Sequence, residues 1–277
     1  MAKSALLKSS LGKKYWMALT GLFLCLFLVG HLIGNLQLIY GTDLQFNQYA
    51  HFMTTNPAVK VLSYLTYISI LFHAIDGIIL TIQNKKARPK GYVKNNAGAN
   101  SKWQSRNMAV LGTLILVFIV THMTNFWAKM HFYEMPLQQQ VVSNEVTGGQ
   151  EMVMYNTTNG TLIRKDQVEN RGFELKNGKD FYIPDTNVKY AEGYKDLYKI
   201  TVEFFKDPKF GLIATIGYVL AMFVLAFHLL HGFNSAFQSI GINNVKYNGF
   251  IKGFGQWFAI IVPLLFAIIP VYIHFFK

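Results

Sequence analysis

Five long apolar stretches constrain the fold of this chain more than any other feature. Each is long enough to cross a bilayer core of about 30 Å as an α-helix, which takes about 20 residues. Charged residues make up only 14% of the 277 residues, against about 25% in an ordinary soluble domain. We therefore predict an all-α membrane protein, a single membrane domain over residues 1–277. Its five transmembrane helices run approximately from Tyr15 to Tyr40, Ala58 to Gln83, Met108 to Met130, Phe210 to Phe237 and Phe254 to Phe276.

Several function classes lack the residues that they need. No small-residue cleavage site follows the first apolar stretch, so we expect this stretch to stay in the membrane. The chain has one cysteine, Cys25, which excludes an internal disulfide and an iron–sulfur cluster held by this chain alone. No glycine-rich phosphate-binding motif opens a helix, so the sequence reveals no nucleotide site.

The net charge of +12 is distributed unevenly. The side of the membrane that carries the N-terminus has half of the 26 basic residues but only one of the 14 acidic residues, Asp76. By the positive-inside rule, we expect a cytoplasmic N-terminus and a C-terminus outside. The basic excess therefore indicates topology and no nucleic-acid partner. We expect Asp76 to face Lys85 or Lys86 at the helix end, or else to belong to a cytoplasmic-side proton or quinone site.

The connection between the third and fourth stretches, residues 131–209, is an insertion that this topology places outside the cytoplasm. Asn159 and Gly160 lie between short β-prone runs, which predicts a hairpin. Residues 190–206 have the pattern of an amphipathic helix. A solvated insertion that stabilises the bundle is the simpler interpretation, and a lid or partner surface is the alternative.

Histidines occur well inside each of the first four stretches: His31, His73, His122 and His228, with His231 as a second one in the fourth. A single histidine inside a membrane is usually a packing residue or part of a proton relay. Four helices with inward imidazoles, in contrast, are the usual frame for b-type haem, whose iron takes two axial histidines from facing helices.

Depth predicts how these histidines pair. At about 1.5 Å per residue, His31 and His122 lie in the outer half of the membrane, whereas His73 and His228 lie nearer the cytoplasm. Two pairs at two depths predict two haems.

Glycines follow two of the histidines at the same spacing. Gly77 is four residues after His73, and Gly232 is four residues after His228. Each glycine leaves a gap without a side chain on the helix face that carries the histidine, and a flat porphyrin needs such a gap. Contact between helices through small residues is the alternative. This spacing favours His228 over His231 as the ligand; His231 could bond a haem propionate, a quinone or a neighbouring helix.

The segments GLFLCLFLVGHLIGN, FNQYAHFM, ILFHAIDGIIL, LILVFIVTHM and FHLLHGFNSAFQSIGI resemble, in order and spacing, the di-haem cytochrome b subunit of bacterial succinate dehydrogenases and fumarate reductases. The resemblance covers all five apolar stretches but not residues 131–209. It implies a proximal haem b with iron ligands His73 and His228 and a distal haem b with iron ligands His31 and His122.

The resemblance also implies partners and a location in the bacterial cytoplasmic membrane. A flavoprotein with covalent FAD and the dicarboxylate site, and an iron–sulfur subunit, would dock on the cytoplasmic face. Electrons would pass between the iron–sulfur subunit and a membrane quinone, usually menaquinone, through the two haems. Some members have a glutamate for proton transfer two residues before the fourth-helix ligand, but this chain has Ala226 there. His51 is our candidate for the quinone pocket beside the distal haem.

Two other functions compete with this interpretation. One is the cytochrome b of another quinone-linked oxidoreductase, of hydrogenase or formate dehydrogenase type; the segment FNQYAHFM between the first two stretches weighs against it. The other is a proton-coupled transporter whose histidines relay protons. The near absence of carboxylates in the apolar stretches weighs against that function.

Overall fold

Long helices dominate the structure, a computed structural model that describes residues 9–87, 96–143, 149, 151–242 and 244–277. The helices in chain order are α1 (Ser10–Tyr40), α2 (Asp43–Thr55), α3 (Pro57–Ala87), α4 (Ala97–Asn100), α5 (Trp103–Arg106), α6 (Met108–His122), α7 (Ala128–Phe132), α8 (Lys165–Glu169), α9 (Leu197–Lys206), α10 (Gly211–Ser239) and α11 (Val245–Phe276). A π-helical turn, Met123–Trp127, joins α6 to α7.

Five of these segments are long and apolar enough to cross a membrane: α1, α3, the continuous α6–α7 helix, α10 and α11. The predicted all-α membrane fold is therefore confirmed. The fifth helix begins at Val245, earlier than the predicted Phe254. Its first turns include polar residues that hydropathy alone does not assign to a span.

Helix α2 lies between the first two spans, where the sequence predicts only a short connection. Its start is specified locally, because the Thr42 hydroxyl accepts a hydrogen bond from the Gln45 N–H while the Gln45 side chain accepts one from the Thr42 N–H. This reciprocal capping satisfies two backbone donors at the helix start. The helix ends at Thr55, just before Pro57 begins α3.

The apolar core lies where α1, α10 and α11 meet. Leu38 of α1 and Ile273 of α11 are almost completely buried there. Gly255 of α11 lies against the Phe233 ring of α10, where any side chain would collide with the ring. Helices α3 and α6 contribute few fully buried residues, so they form the more open side of the bundle.

The insertion contains two small antiparallel sheets. Strands β1 (Gln139–Ser143), β2 (Glu151–Asn156) and β3 (Leu162–Arg164) form one, and β4 (Glu174–Lys176), β5 (Asp180–Ile183) and β6 (Val188–Glu192) form the other. The predicted hairpin is the β2–β3 pair, with Gly160 in the left-handed region at φ +82°. A separate small core of Leu137, Ile163, Phe181 and Ala191 holds the sheets together.

The amphipathic helix predicted over residues 190–206 is shorter than expected. It begins at Leu197, because β6 pairs with β5 over the residues before it. Asp196 caps the helix by accepting a hydrogen bond from the Lys199 N–H at 3.0 Å.

Buried polar contacts attach the insertion to α2. The Asn47 amide donates to the Asp196 carboxylate at 2.9 Å, and its oxygen accepts from the Tyr198 N–H at 3.0 Å. Asn47 is only 1% exposed. The insertion is therefore fixed at the end of the bundle that carries α2, opposite the end at which α1 begins.

Candidate functional site

The four intramembrane histidines lie in two pairs. The ring centres of His31 and His122 are 5.7 Å apart, and those of His73 and His228 are 6.2 Å apart. The first pair joins α1 to α6, and the second joins α3 to α10. These are the pairs that the depths of the histidines predict. Binding of haem iron by these pairs stays a prediction.

The two pairs lie at different levels of the bundle. The ring of His73 lies against Gly21 of α1, because a Cβ built on that glycine would be 3.1 Å from His73 Cε1. Since His31 follows Gly21 by ten residues, it lies about 15 Å further along the same helix.

The third span repeats this arrangement. A Cβ on Gly112 of α6 would be 3.8 Å from Cε1 of His228, and His122 follows Gly112 by ten residues. Gly21 and Gly112 were not among the predicted site residues. Their signal is a glycine ten residues before a histidine in both the first and the third spans.

Hydrogen bonds orient one ring of the His73–His228 pair. The His73 Nδ1 atom lies 3.2 Å from the Met17 carbonyl oxygen and 3.3 Å from the Thr20 hydroxyl. In contrast, the Nδ1 atoms of His122 and His228 are buried and have no hydrogen-bond partner among the described residues. Buried polar atoms are normally paired, so these rings are available to a ligand.

Aromatic and aliphatic side chains surround the His31–His122 pair. Phe27 stacks on His31 with ring centres 5.2 Å apart, and Phe126 lies 5.5 Å from His122. Asn35 and Tyr218 are polar neighbours: the Asn35 amide nitrogen lies 3.4 Å from His31 Nδ1 and donates to the His31 carbonyl at 2.8 Å, and the Tyr218 ring centre lies 6.0 Å from that of His122.

Both pairs open onto one cavity of about 1750 Å³. This volume exceeds the range of about 300–1,000 Å³ that is typical of a pocket for one small molecule. Gly77 and Gly232 also line the cavity. A Cβ on Gly77 would have no neighbour within 4 Å, and one on Gly232 would meet only His228, at 4.0 Å. The clearings expected beside His73 and His228 are therefore present.

The donor set fits haem better than a bare metal ion. Among the described residues, no group of three or more His, Cys, Asp or Glu side chains could hold a metal. A porphyrin supplies four nitrogens itself, so two histidines complete its iron. With metal–nitrogen bonds of about 2 Å, two axial imidazoles have ring centres about 6 Å apart. Both histidine pairs match this separation.

His231 lines the same cavity without belonging to a pair. It is half-buried. His228 is the histidine of this helix whose ring lies next to His73. The two histidines of HLLH therefore have different surroundings.

His51 of α2 lies at the end of the cavity that the insertion covers. Its ring packs edge-on against Tyr194, with ring centres 5.4 Å apart. Glu192 and Lys195 of the insertion line this end too. Burial lowers the pKa of His51 below its ordinary value, while nearby Glu192 acts in the opposite direction. The imidazole is therefore neutral at pH 7.

Asp76 does not form the expected ion pair. Its side chain is buried, and no basic group among the described residues lies within 4 Å of its carboxylate. Lys85 and Lys86 follow it by nine and ten residues, which separates them by about 14 Å along α3. The preferred interpretation was therefore wrong. Asp76 instead follows His73 by three residues on the same face of α3.

The π-helical turn is a second feature that the sequence analysis did not identify. It begins directly after His122 and ends at Trp127, whose indole N–H donates to the Tyr67 hydroxyl at 2.8 Å. Tyr67 and Trp127 both line the cavity. Single π turns inside α-helices often occur at functional sites. Residue propensity gives no signal for such a turn.

Comparisons of the chain with models of known protein families, with curated protein sequences and with solved structures each find no match. The fold and the site define a class instead: an all-α membrane protein of five spanning helices with two histidine pairs around one internal cavity.

Proposed function

We propose that this chain is the membrane-anchor cytochrome b subunit of a succinate:quinone oxidoreductase. It would bind two b haems and pass electrons between an iron–sulfur subunit and a membrane quinone, with menaquinone the favoured one. Each haem would supply a one-electron ferric/ferrous couple. The dicarboxylate chemistry would belong to the partner flavoprotein, since this chain has no residues that suggest a flavin or iron–sulfur site.

The observation that carries this proposal is the arrangement of the histidines. Two imidazole pairs, about 15 Å apart along α1, face one cavity of about 1750 Å³. His73 and His228 would hold the haem nearer the start of α1, and His31 and His122 would hold the other. Gly77 and Gly232, four residues after His73 and His228, leave room for a flat ligand at the level of that pair.

The surroundings favour electron transfer over a histidine proton relay. Asp76 is the one carboxylate within the five spanning helices. Phe27, Phe118 and Phe126 pack against His31 and His122 and supply no proton-transferring group there. A relay needs an unbroken series of titratable groups or water, whereas a bis-histidine metal site needs only the two rings.

The quinone would bind at the end of the cavity beneath the insertion. His51 is neutral there and can exchange a proton with a quinone oxygen, and its ring is held by Tyr194. The haem of His31 and His122 is the nearer one to that end, because α2 follows the C-terminal end of α1. His231, at the opposite end, would contact a haem edge or the neighbouring helix.

A reduced-minus-oxidised optical spectrum of the purified protein, with haem extraction, tests the proposal. We expect two haems b per chain, reduced by succinate in the intact complex. A protein without haem would exclude every cytochrome b. Haem reduced by hydrogen or formate, and not by succinate, would instead place the chain in another quinone-linked oxidoreductase.

A further inference from the structure

Three residues of α1 form a seat for the imidazole of His73. The Met17 carbonyl oxygen and the Thr20 hydroxyl lie 3.2 and 3.3 Å from its Nδ1 atom. Gly21 lies beneath the ring, and a methyl group there would be only 3.1 Å from Cε1. Thr20 is 5% exposed, so water does not compete for its hydroxyl.

The seat determines which ring nitrogen carries hydrogen. A carbonyl oxygen can only accept, so the contact with Met17 requires the hydrogen to be on Nδ1. The Thr20 hydroxyl directs its own hydrogen to the Trp16 or Met17 carbonyl, at 2.9 and 3.1 Å. Its oxygen is therefore free to accept from Nδ1–H as well. The Nε2 lone pair of His73 is left available for a metal, and the ring centre of His228 lies 6.2 Å from that of His73.

We propose that Thr20 is a positioning residue for the haem held by His73 and His228: it holds the His73 ring in the Nδ1–H form and aims Nε2 at the iron. The inference rests on the proposed function, which assigns iron to this pair. For His31, the hydrogen-bonding side chain within reach among the described residues is Asn35, which lies on the same helix and donates to a backbone carbonyl.

Two measurable consequences follow from this role. An acceptor on the far ring nitrogen makes a histidine a more basic ligand, and loss of such a partner typically weakens metal binding by about 10–100-fold. A more basic ligand stabilises ferric over ferrous iron. Loss of the Thr20 oxygen should therefore raise the midpoint potential of this one haem and leave the other unchanged.

Thr20→Val and Thr20→Ser are the matched variants. Valine has nearly the same shape but cannot accept, whereas serine keeps the oxygen. Thr215→Val is the control, because Thr215 is 3% exposed and its hydroxyl donates to the Gly211 carbonyl of its own helix, at 2.8 Å. Redox titration, low-temperature spectra and haem retention during dilution would be measured on the purified complex.

We expect Thr20→Val to raise the potential of the component that His73→Ala removes, and to speed loss of that haem about tenfold. Thr20→Ser and Thr215→Val should behave like the wild type. An unchanged component in Thr20→Val, or an equal change in Thr20→Ser, would overturn the inference while leaving two haems and the proposed function in place. A wild-type protein without haem would overturn both. If Thr20→Val does not accumulate, Thr20→Ala removes the same acceptor without adding bulk.

Discussion

His73 lies next to His228, and His31 lies next to His122. Single substitutions can therefore distinguish the two proposed haem sites. His73→Ala and His228→Ala should remove one spectral component, and His31→Ala and His122→Ala should remove the other. An iron with one axial histidine in an apolar slot loses a strong bond and gains no water in return. Haem content and difference spectra of the four variants check this.

His231→Ala provides the control within the same helix, and it should keep both haems. The assignment within HLLH is wrong if His231→Ala loses a haem while His228→Ala keeps two. The pairing itself is wrong if His31→Ala and His73→Ala abolish the same component.

Gly21 gives a second test, because it limits the space under the His73 ring. Gly21→Ala would place a methyl group 3.1 Å from Cε1, closer than ordinary van der Waals contact, and the ring would have to shift. We expect reduced occupancy of the haem at this pair and normal occupancy at the other, measured by haem content and spectra.

Substitutions of two other glycines serve as controls for this test. Gly217→Ala meets nothing within 4 Å and should have no effect, and Gly112→Ala meets His228 at an ordinary 3.8 Å and should have a small one. Equal effects in all three variants would show that the substitutions act on helix packing rather than on the ring.

Histidine pairing could be predicted from the sequence because depth along a spanning helix depends only on residue count. The residues that contact these rings from neighbouring helices could not be predicted in this way. Met17 and Thr20 reach His73 from another helix, and such contacts depend on the rotation of each helix and on where helices touch. The expected Asp76–Lys85 contact was wrong for the same reason, since the charge pattern gives the signs of the partners but not their separation.

Among the elements, the five spans were predictable from hydropathy, but the π turn after His122 and helix α2 were not. The length of an apolar stretch predicts a membrane helix but contains no information on its hydrogen-bonding pattern. It therefore cannot distinguish a π turn from an α turn. The β2–β3 hairpin had a local signal at Asn159 and Gly160, whereas β6 formed by pairing with β5 and displaced the expected start of α9.

An ionic cluster in the second sheet makes the insertion sensitive to acid. Burial raises the pKa of Glu192, but hydrogen bonds from Lys179 and Lys189 outweigh it and hold that pKa below its ordinary value. Lys189 also pairs with Asp180 at 2.6 Å, and the pKa of Asp180 is likewise lowered. A carboxyl with a lowered folded-state pKa stabilises the fold above its unfolded pKa, and this contribution is lost as the pH falls through the folded value.

We therefore expect the insertion to keep full stability at pH 7 and to lose it below about pH 4, where carboxyl groups begin to protonate. Protease susceptibility of residues 131–209 between pH 7 and pH 3 measures this loss. Glu192→Gln should lower stability at pH 7 and flatten the acid dependence. Glu203→Gln, which removes one partner of an exposed pair with Lys199, should do neither; an identical acid profile in both variants would exclude the cluster as the cause.

The whole molecule has two unlike ends, and the charge asymmetry predicts which one faces the cytoplasm. The insertion and the C-terminus share one end, where the Lys277 side chain bonds the Tyr198 hydroxyl. Impermeant thiol labelling in intact cells should modify Ser143→Cys, in the insertion, and spare Ser101→Cys. The single native cysteine, Cys25, is buried and provides a low background. Labelling at residue 101 with protection at residue 143 would show that the chain has the opposite orientation.

The difference in charge between the two ends also predicts that the chain assembles with partner subunits. If the two histidine pairs bind haem as proposed, a chain with no residues that suggest a flavin or iron–sulfur site needs electrons from elsewhere. The basic end is the one that we expect to receive an electron-donating partner, because charge complementarity attracts and orients a docking protein. Purified from its native membrane, the chain should carry two soluble-type subunits, one with flavin and one with iron–sulfur clusters, identified by mass spectrometry and cofactor analysis.

Neutralising charges at each end makes this test specific. Lys85→Gln with Lys86→Gln, at the end of α3, should weaken retention of these subunits as the salt concentration rises, since screening acts on exposed charges. Lys206→Gln with Lys209→Gln removes the same charge at the C-terminal end of the insertion and should leave retention unchanged. Equal losses from both double variants would show that net charge, and not the basic end, holds the complex. Isolation of the chain alone, fully active with succinate and quinone, would rule out an anchor subunit.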